Sequence, residues 1–412
     1  MMVKNSRGSV GLSAKRIKDF KLNALLEVTN SINNNVSTSE LLTTFESIVR
    51  DNLNIGKLVL FSFDGQGWRC LLQFGVDNSF ADIDVASEFA GITDIRTIDI
   101  AAHPLERSFE IIIPVYHKSL PLAYVLVGDI DEDESGMSAA IKHLPFVQTL
   151  TNIIVVAIEN KKLAKDNIRQ ATMRRELELA WEVQRQLFPE ELPNDEQFDM
   201  NAVYLPHLQV GGDYYDFVRI NENEVALCVA DVSGKGVPAA LLMSNFQANI
   251  RVLLQYMPDL TELVRELNTK VNHSAKGDRF ITLFVAKYNL VTRVMHYINA
   301  GHNPPILIAP DGVTQLTIGC TGLGMLDELT KVKEGILNIS HNSMLCCYTD
   351  GLVEQTNEAG EEFGMERLQH LAWQERDLTP KAFNAMLLNQ IETHKAHLNY
   401  VDDIALFTCR LH

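Results

Sequence analysis

The sequence predicts an α+β protein made of two folded parts joined by a long helix. Three observations lead there. Strand-like apolar runs recur toward both ends of the chain, a stretch from about Ile141 to Leu187 lacks proline after Pro145 and is rich in helix-compatible residues, and 412 residues exceed what one core usually fills.

The elements follow in order. Residues 1–19 are polar and mildly basic with no apolar signal core, so export is not expected. Residues 20–162 read helix first, then strands: apolar positions at helical spacing from Leu41 to Leu53, then Lys57 to Phe63 and a turn at Asp64-Gly65, then Glu110 to Val115 and Leu122 to Gly128. That order suits an α+β domain with an antiparallel sheet. Residues 163–189 form the expected helical linker, part of the longer stretch from about Ile141 to Leu187 in which Ala157, Ala164, Ile168 and Ala171 keep heptad-like spacing. A second stripe at Met173, Leu177, Ala180 and Leu187 changes phase. The stripes leave two readings open, pairing with a second copy in a homodimer or packing on the chain's own domain. Pro189 ends the helix, and residues 190–412 alternate strands with helices. Val237-Pro238 opens one helix, Ile281 to Tyr288 and Val294 to Ile298 form a hairpin, and Thr379 to His394 is a late helix.

Composition narrows the function classes. A content of 46% hydrophobic and 22% charged residues is that of a folded soluble protein, and a net charge of -17 argues against nucleic acid or an anionic membrane as the main partner. No apolar run approaches the length of about 20 residues that spans a bilayer. The six cysteines, Cys70, Cys228, Cys320, Cys346, Cys347 and Cys409, show no Cys-x-x-Cys spacing. They read as buried, reduced thiols of a cytoplasmic protein.

The chemistry lies in aspartates where strands begin or end. Glu224 to Ala230 stops at Asp231 and Met344 to Thr349 stops at Asp350, whereas Asp213 precedes Tyr214 to Ile220 and Asp402-Asp403 precede Ile404 to Cys409. In an antiparallel sheet the start of one strand lies beside the end of the next, so all four positions can share one edge. Two carboxylates about 4 Å apart repel by roughly 4 kcal/mol at an effective dielectric near 20, and a divalent cation reverses that sign. All-oxygen ligation points to Mg2+ or Mn2+ rather than zinc.

These motifs occur in a telling order: Val210-Gly211-Gly212-Asp213-Tyr214-Tyr215-Asp216, Asp231-Val232-Ser233-Gly234-Lys235-Gly236, Asn299-Ala300-Gly301-His302-Asn303-Pro304-Pro305, Tyr348-Thr349-Asp350-Gly351 and Asp402-Asp403-Ile404. Over about residues 170 to 412 the chain resembles the metal-dependent protein phosphatases of the phosphatase 2C type (the PPM superfamily), in their SpoIIE or RsbU-like branch. The resemblance implies a sandwich of two antiparallel sheets flanked by helices, with two Mn2+ or Mg2+ ions at one end. It implies that Asp213 and Asp231 ligate the metals, Asp231 as the bridge, with the Val232 carbonyl a further ligand. Asp350 and the Asp402-Asp403 pair complete the site, Asp402 aligning with the family's ligand, and Asp216 is structural or supports the ligands from behind. Lys235 is left as either a phosphate counter-charge or an exposed turn lysine, and His302 and Asn303 as either water- or substrate-orienting groups or a turn. The histidine that eukaryotic members carry after the bridging aspartate is absent from Val232-Ser233-Gly234, and Ala405 stands where Thr or Ser is common.

The N-terminal part resembles a GAF sensor domain by architecture and position, which implies a small-molecule ligand or a dimerisation role, with a folded spacer as the bland alternative. Together the resemblances imply a cytoplasmic bacterial serine/threonine phosphatase under N-terminal control, acting on a phosphorylated anti-sigma factor antagonist of the STAS type. The alternatives are a catalytically silent binding module on the same fold, or a phosphatase of small phosphate esters.

Overall fold

In the computed structural model, which describes residues 7–76, 83–89, 91–97, 109–117, 119–130 and 143–412, the chain divides within one helix, between Ala171 and Thr172. Residues 1–6 of the polar N-terminal segment, and residues 141 and 142 at the start of the expected connector, lie outside the described residues.

The N-terminal unit opens with α1 (Arg7–Asn33), so the polar segment is helical from Arg7 onward and runs past position 19. The helix α2 (Thr38–Ser47) starts at a capping box, in which the Ser37 hydroxyl accepts the Glu40 amide while the Glu40 carboxylate accepts the Ser37 amide. Then come β1 (Ile55–Phe63), β2 (Trp68–Phe74), the short helix α3 (Val85–Glu88), β3 (Arg96–Thr97), β4 (Ile111–His117) and β5 (Leu120–Ile130). The strands pair antiparallel in the order β2-β1-β5-β4-β3. Alternation splits their side chains between two cores. Leu58, Leu60, Val125 and Val127 pack with Phe45 of α2 and with Val147, Leu150 and Ile154 of α4 (Leu144–Arg185), while Val59, Phe61, Tyr124 and Leu126 pack with Phe89 and Ile92. Residues 162–176 of α4 are exposed on every side, Leu163, Ile168 and Met173 included.

The C-terminal unit contains β6 (Phe198–Leu205), β7 (Tyr214–Arg219), β8 (Glu224–Val232), α5 (Val237–Tyr256), α6 (Leu260–Ala275), β9 (Ile281–Asn289), β10 (Val294–Ala300), β11 (Ile306–Ala309), β12 (Gly312–Gln315), β13 (Gly319–Cys320), β14 (Gly335–Asn338), β15 (Ser343–Tyr348), α7 (Asp350–Val353), α8 (Met365–Gln374), α9 (Pro380–Lys395) and β16 (Ile404–Leu411). One sheet runs β13-β10-β9-β8-β7, with β14 also on β10; the other runs β12-β11-β15-β16-β6. All pairings are antiparallel except β10 with β13.

Three cores make this a four-layer sandwich. Between the sheets, Leu227 and Phe284 pack with Leu345, Cys347, Phe407 and Cys409. Outside the first sheet, Cys228 and Val285 pack under Phe246 of α5 and Leu267 of α6. Outside the second, Cys346 and Leu406 pack under Leu368 of α8 and Phe383 of α9. The strands form the two-sheet sandwich that the resemblance implies, which corrects the reading of one shared edge: the aspartates of β7 and β8 and those around β15 and β16 sit on different sheets. The cysteines also need a correction. All six are free and four are buried, but Cys70 and Cys320 are only half-buried, because they lie on an outer strand and in a two-residue strand. Among the described residues no helix is long and apolar enough to cross a membrane.

Candidate active site

The sandwich brings the motifs to one end. Asp213 immediately precedes β7, Asp231 is the penultimate residue of β8, Asp350 opens α7 just after β15, and Asp402-Asp403 sit just before β16. Within the first sheet Tyr214 pairs with Ala230 and Asp231 with Thr282. In the second, the Thr349 amide donates to the Ala405 carbonyl. A contact across the sheets closes the arrangement: the buried Thr349 hydroxyl donates to Asp213 Oδ2 at 2.7 Å, while accepting the Ala405 amide at 2.8 Å.

The carboxylates act on one another. Burial first, then the charges of Asp231 and Asp403, hold Asp213 well above the ordinary carboxylate range. Asp231 is pushed from 3.8 to about 7 by burial and by Asp350, Asp402 and Asp403, with partial relief from a hydrogen bond to Asp213. Asp350 rises to about 6 through burial and the charges of Glu354 and Asp402, eased by Lys235.

The last two aspartates divide their work. Asp403, 6% exposed, accepts the His207 amide on Oδ1 at 2.7 Å and the Gly212 amide on Oδ2 at 2.9 Å, so it ties down the loop that leads to Asp213. Asp402 is partly exposed and meets Lys235 Nζ at 2.8 Å; the same ammonium donates to the Val401 carbonyl at 2.6 Å. Lys235 is thus an internal counter-charge to Asp402. Asp216 is fully buried and paired with Arg251 at 2.7 and 2.9 Å, and it also accepts from the Tyr214 hydroxyl, which fastens β7 to α5.

His302 is buried at the seam between the sheets. Its Nδ1 lies 2.9 Å from the Thr282 hydroxyl, and its Nε2 faces the Tyr348 backbone without meeting hydrogen-bond geometry. Burial pushes the imidazole down to about 4, so it is neutral near pH 7. Asn303 beside it is half-buried.

Sequence reasoning had not singled out Thr349 as a holder of Asp213; 136 positions separate the two. A Thr349→Val substitution keeps the shape but strands the Ala405 amide and one oxygen of Asp213. It is expected to cost about 1–3 kcal/mol of stability in chemical denaturation, with Thr349→Ser close to wild type.

The donor set fits a hard divalent cation in type and charge, since it is all oxygen and self-repelling. The Val232 carbonyl lies on the same side: a Cβ at Gly212 would stand 2.9 Å from its oxygen, so glycine there leaves that carbonyl uncovered. Among the described residues no three His, Cys, Asp or Glu side chains already form a finished cage. Asp402 is engaged by Lys235 and Asp403 by backbone amides, so ligation requires Asp402 to turn away from the lysine.

Residues 221–412 match the family described as Stage II sporulation protein E (SpoIIE). Phosphoserine phosphatase RsbU of Bacillus subtilis is 27% identical over 246 residues, covering 58% of this chain and 71% of RsbU. Phosphoserine phosphatase RsbP of the same organism is 29% identical over 189 residues, covering 44% of this chain and 46% of RsbP. Among solved structures, the SiaA-PP2C domain of Pseudomonas aeruginosa superimposes with a TM-score of 0.54 at 17% identity, covering 59% of this chain and 99% of that domain. Residues 221–412 are thus similar to the SpoIIE family, and the C-terminal unit has the fold of a phosphatase 2C domain.

Proposed function

We propose that the protein is a metal-dependent serine/threonine phosphatase of bacterial signalling whose substrate is a phosphorylated STAS-domain antagonist of an anti-sigma factor. The observation that carries this reading is the convergence of Asp213, Asp231, Asp350 and Asp402 from two sheets onto one end of the sandwich, with their charges opposing one another. Asp213, Asp231, Asp350, Asp402 and the Val232 carbonyl would hold two Mn2+ or Mg2+ ions, Asp231 between them. When bound, such ions supply the positive charge that acidifies water and draws in phosphate oxygens. Thr349 orients Asp213, while Asp403 serves the neighbouring loop rather than the metals. The kinship to RsbU and RsbP, both named phosphoserine phosphatases, supports the reaction.

The N-terminal unit is proposed as a GAF-like sensor taking a small molecule, and its five-stranded antiparallel sheet supports that reading. The exposed length of α4 supports pairing with a second copy in a homodimer, and the setting is proposed as the cytoplasm. A second reading, the catalytically silent module, draws on the Lys235–Asp402 ion pair, which leaves no finished cage.

With Mn2+ the 412-residue protein is expected to release phosphate from a phosphoserine STAS-domain protein and from an aryl phosphate, and to stop in chelator. Hydrolysis that persists in chelator sinks the two-metal reading. Release from the aryl ester alone indicates a small-ester phosphatase, and Mn2+ binding without any hydrolysis indicates the silent module.

A further inference from the structure

The last turn of α4 belongs to the same unit as the aspartates and touches the loop that carries one of them. Gln184 is only 4% exposed, although α4 is bare over residues 162–176. A buried amide is costly unless both ends are hydrogen-bonded. Here both ends meet one residue: Nε2 donates to the Gly211 carbonyl at 2.7 Å and Oε1 accepts the Gly211 amide at 3.4 Å. Nothing larger than glycine fits at that position, since a Cβ would fall 2.0 Å from the Tyr204 hydroxyl and 2.1 Å from Asp403 Oδ2. The next amide, Gly212, is held by Asp403. Asp213 follows directly.

The surroundings leave this turn little freedom. Trp181 packs on Tyr204 at 5.4 Å, and Phe188 packs on Tyr204 at 5.2 Å and on Tyr215 at 4.9 Å, so Gln184 is flanked by aromatic anchors on β6 and β7. The glycine pair before Asp213 is thereby held by α4 at Gly211 and by Asp403, just before β16, at Gly212.

We propose that Gln184 is a positioning residue of the metal site, fixing through Gly211 the backbone from which Asp213 reaches its ion. The inference rests on the metal-site reading given above. Groups that orient a metal ligand from behind typically carry about 10–100-fold in metal affinity. The tip of α4 is then a structural part of the site, and displacing it loosens Asp213 without touching a carboxylate.

The test is Mn2+ binding by titration calorimetry on the full chain, alongside hydrogen exchange at the Gly211 and Gly212 amides of the metal-free protein. Gln184→Ala, and Gln184→Met, which preserves volume and hence folding, are expected to weaken Mn2+ binding about 10–100-fold and to speed exchange at both amides. The neighbouring Val183→Ala, at a residue 63% exposed, is expected to match wild type. A folded Gln184→Met protein with wild-type Mn2+ affinity and wild-type exchange overturns the inference. Wild-type protein that binds no Mn2+ overturns the metal-site reading itself, and this inference with it.

Discussion

Replacing Asp231 with asparagine is expected to abolish phosphate release, by roughly a thousandfold or more, while making the metal-free protein more stable. The two effects share one cause. Asp231 stands where the charges of Asp350, Asp402 and Asp403 meet, and its carboxyl is pushed to about 7 by enclosure and by those neighbours. As the proposed bridge between ions it carries several kcal/mol of the barrier lowering, which is a factor of roughly a thousand or more. Without metal the same charge is a burden, and asparagine removes it at nearly constant volume. Phosphate release and thermal unfolding in chelator, measured on the same preparation, test both halves. An inactive variant that is also destabilised in chelator would remove the argument that these carboxylates strain the metal-free fold.

The second large effect is a reversed pH dependence of the metal-free protein. Asp231 at about 7 and Asp350 at about 6 both lie above 3.8, so between about pH 4 and 7 the folded chain holds more protons than the unfolded one. Stability therefore falls as pH rises through that window and levels off above it. Asp213, also raised, adds to the same slope. His302 pulls the opposite way in this window, since burial holds its imidazole near 4 rather than 6.5, whereas the low-held carboxyls of Glu40 and Asp64 act below about pH 5. The clean quantity is thus the difference between wild type and an Asp231→Asn, Asp350→Asn variant. Relative to that variant, wild-type protein in chelator is expected to lose roughly 5–10 °C of melting temperature between pH 5 and pH 8, the equivalent of a few kcal/mol. Mn2+ is expected to recover the most at pH 8, where it displaces the fewest protons. Parallel curves for the two proteins across that range would show that the acids are not coupled as described.

Much of this arrangement was legible in the residues. Apolar runs that stop at acids marked β8 and β15, acids that start such runs marked β7 and β16, and Pro238 marked the start of α5. The partition into two sheets was legible only through the family resemblance of the ordered motifs, because alternation tells which residues are buried but not against which layer. The helix α6 has a plain signal in the sequence: Asp259 caps it by accepting the Glu262 amide, and Leu260, Leu263, Val264, Leu267 and Val271 recur at helical spacing. The supporting residues were out of reach for a different reason. Thr349 meets Asp213, Asp403 meets Gly212, and Gln184 meets Gly211 across 136, 191 and 27 positions. Local pattern carries no trace of such contacts. It also could not apportion Asp402 and Asp403, adjacent acids that differ in whether backbone amides already occupy them.

The buried cysteines fall one layer at a time: Cys228 between the first sheet and its helices, Cys347 and Cys409 between the two sheets, and Cys346 between the second sheet and its helices. Burial raises all four thiols and keeps them unreactive while their layer stays closed. The C-terminal unit thus has a native chemical clock in each of its three interiors. The order in which an alkylating reagent reaches them reads out which seam of the sandwich breathes first, with no label introduced.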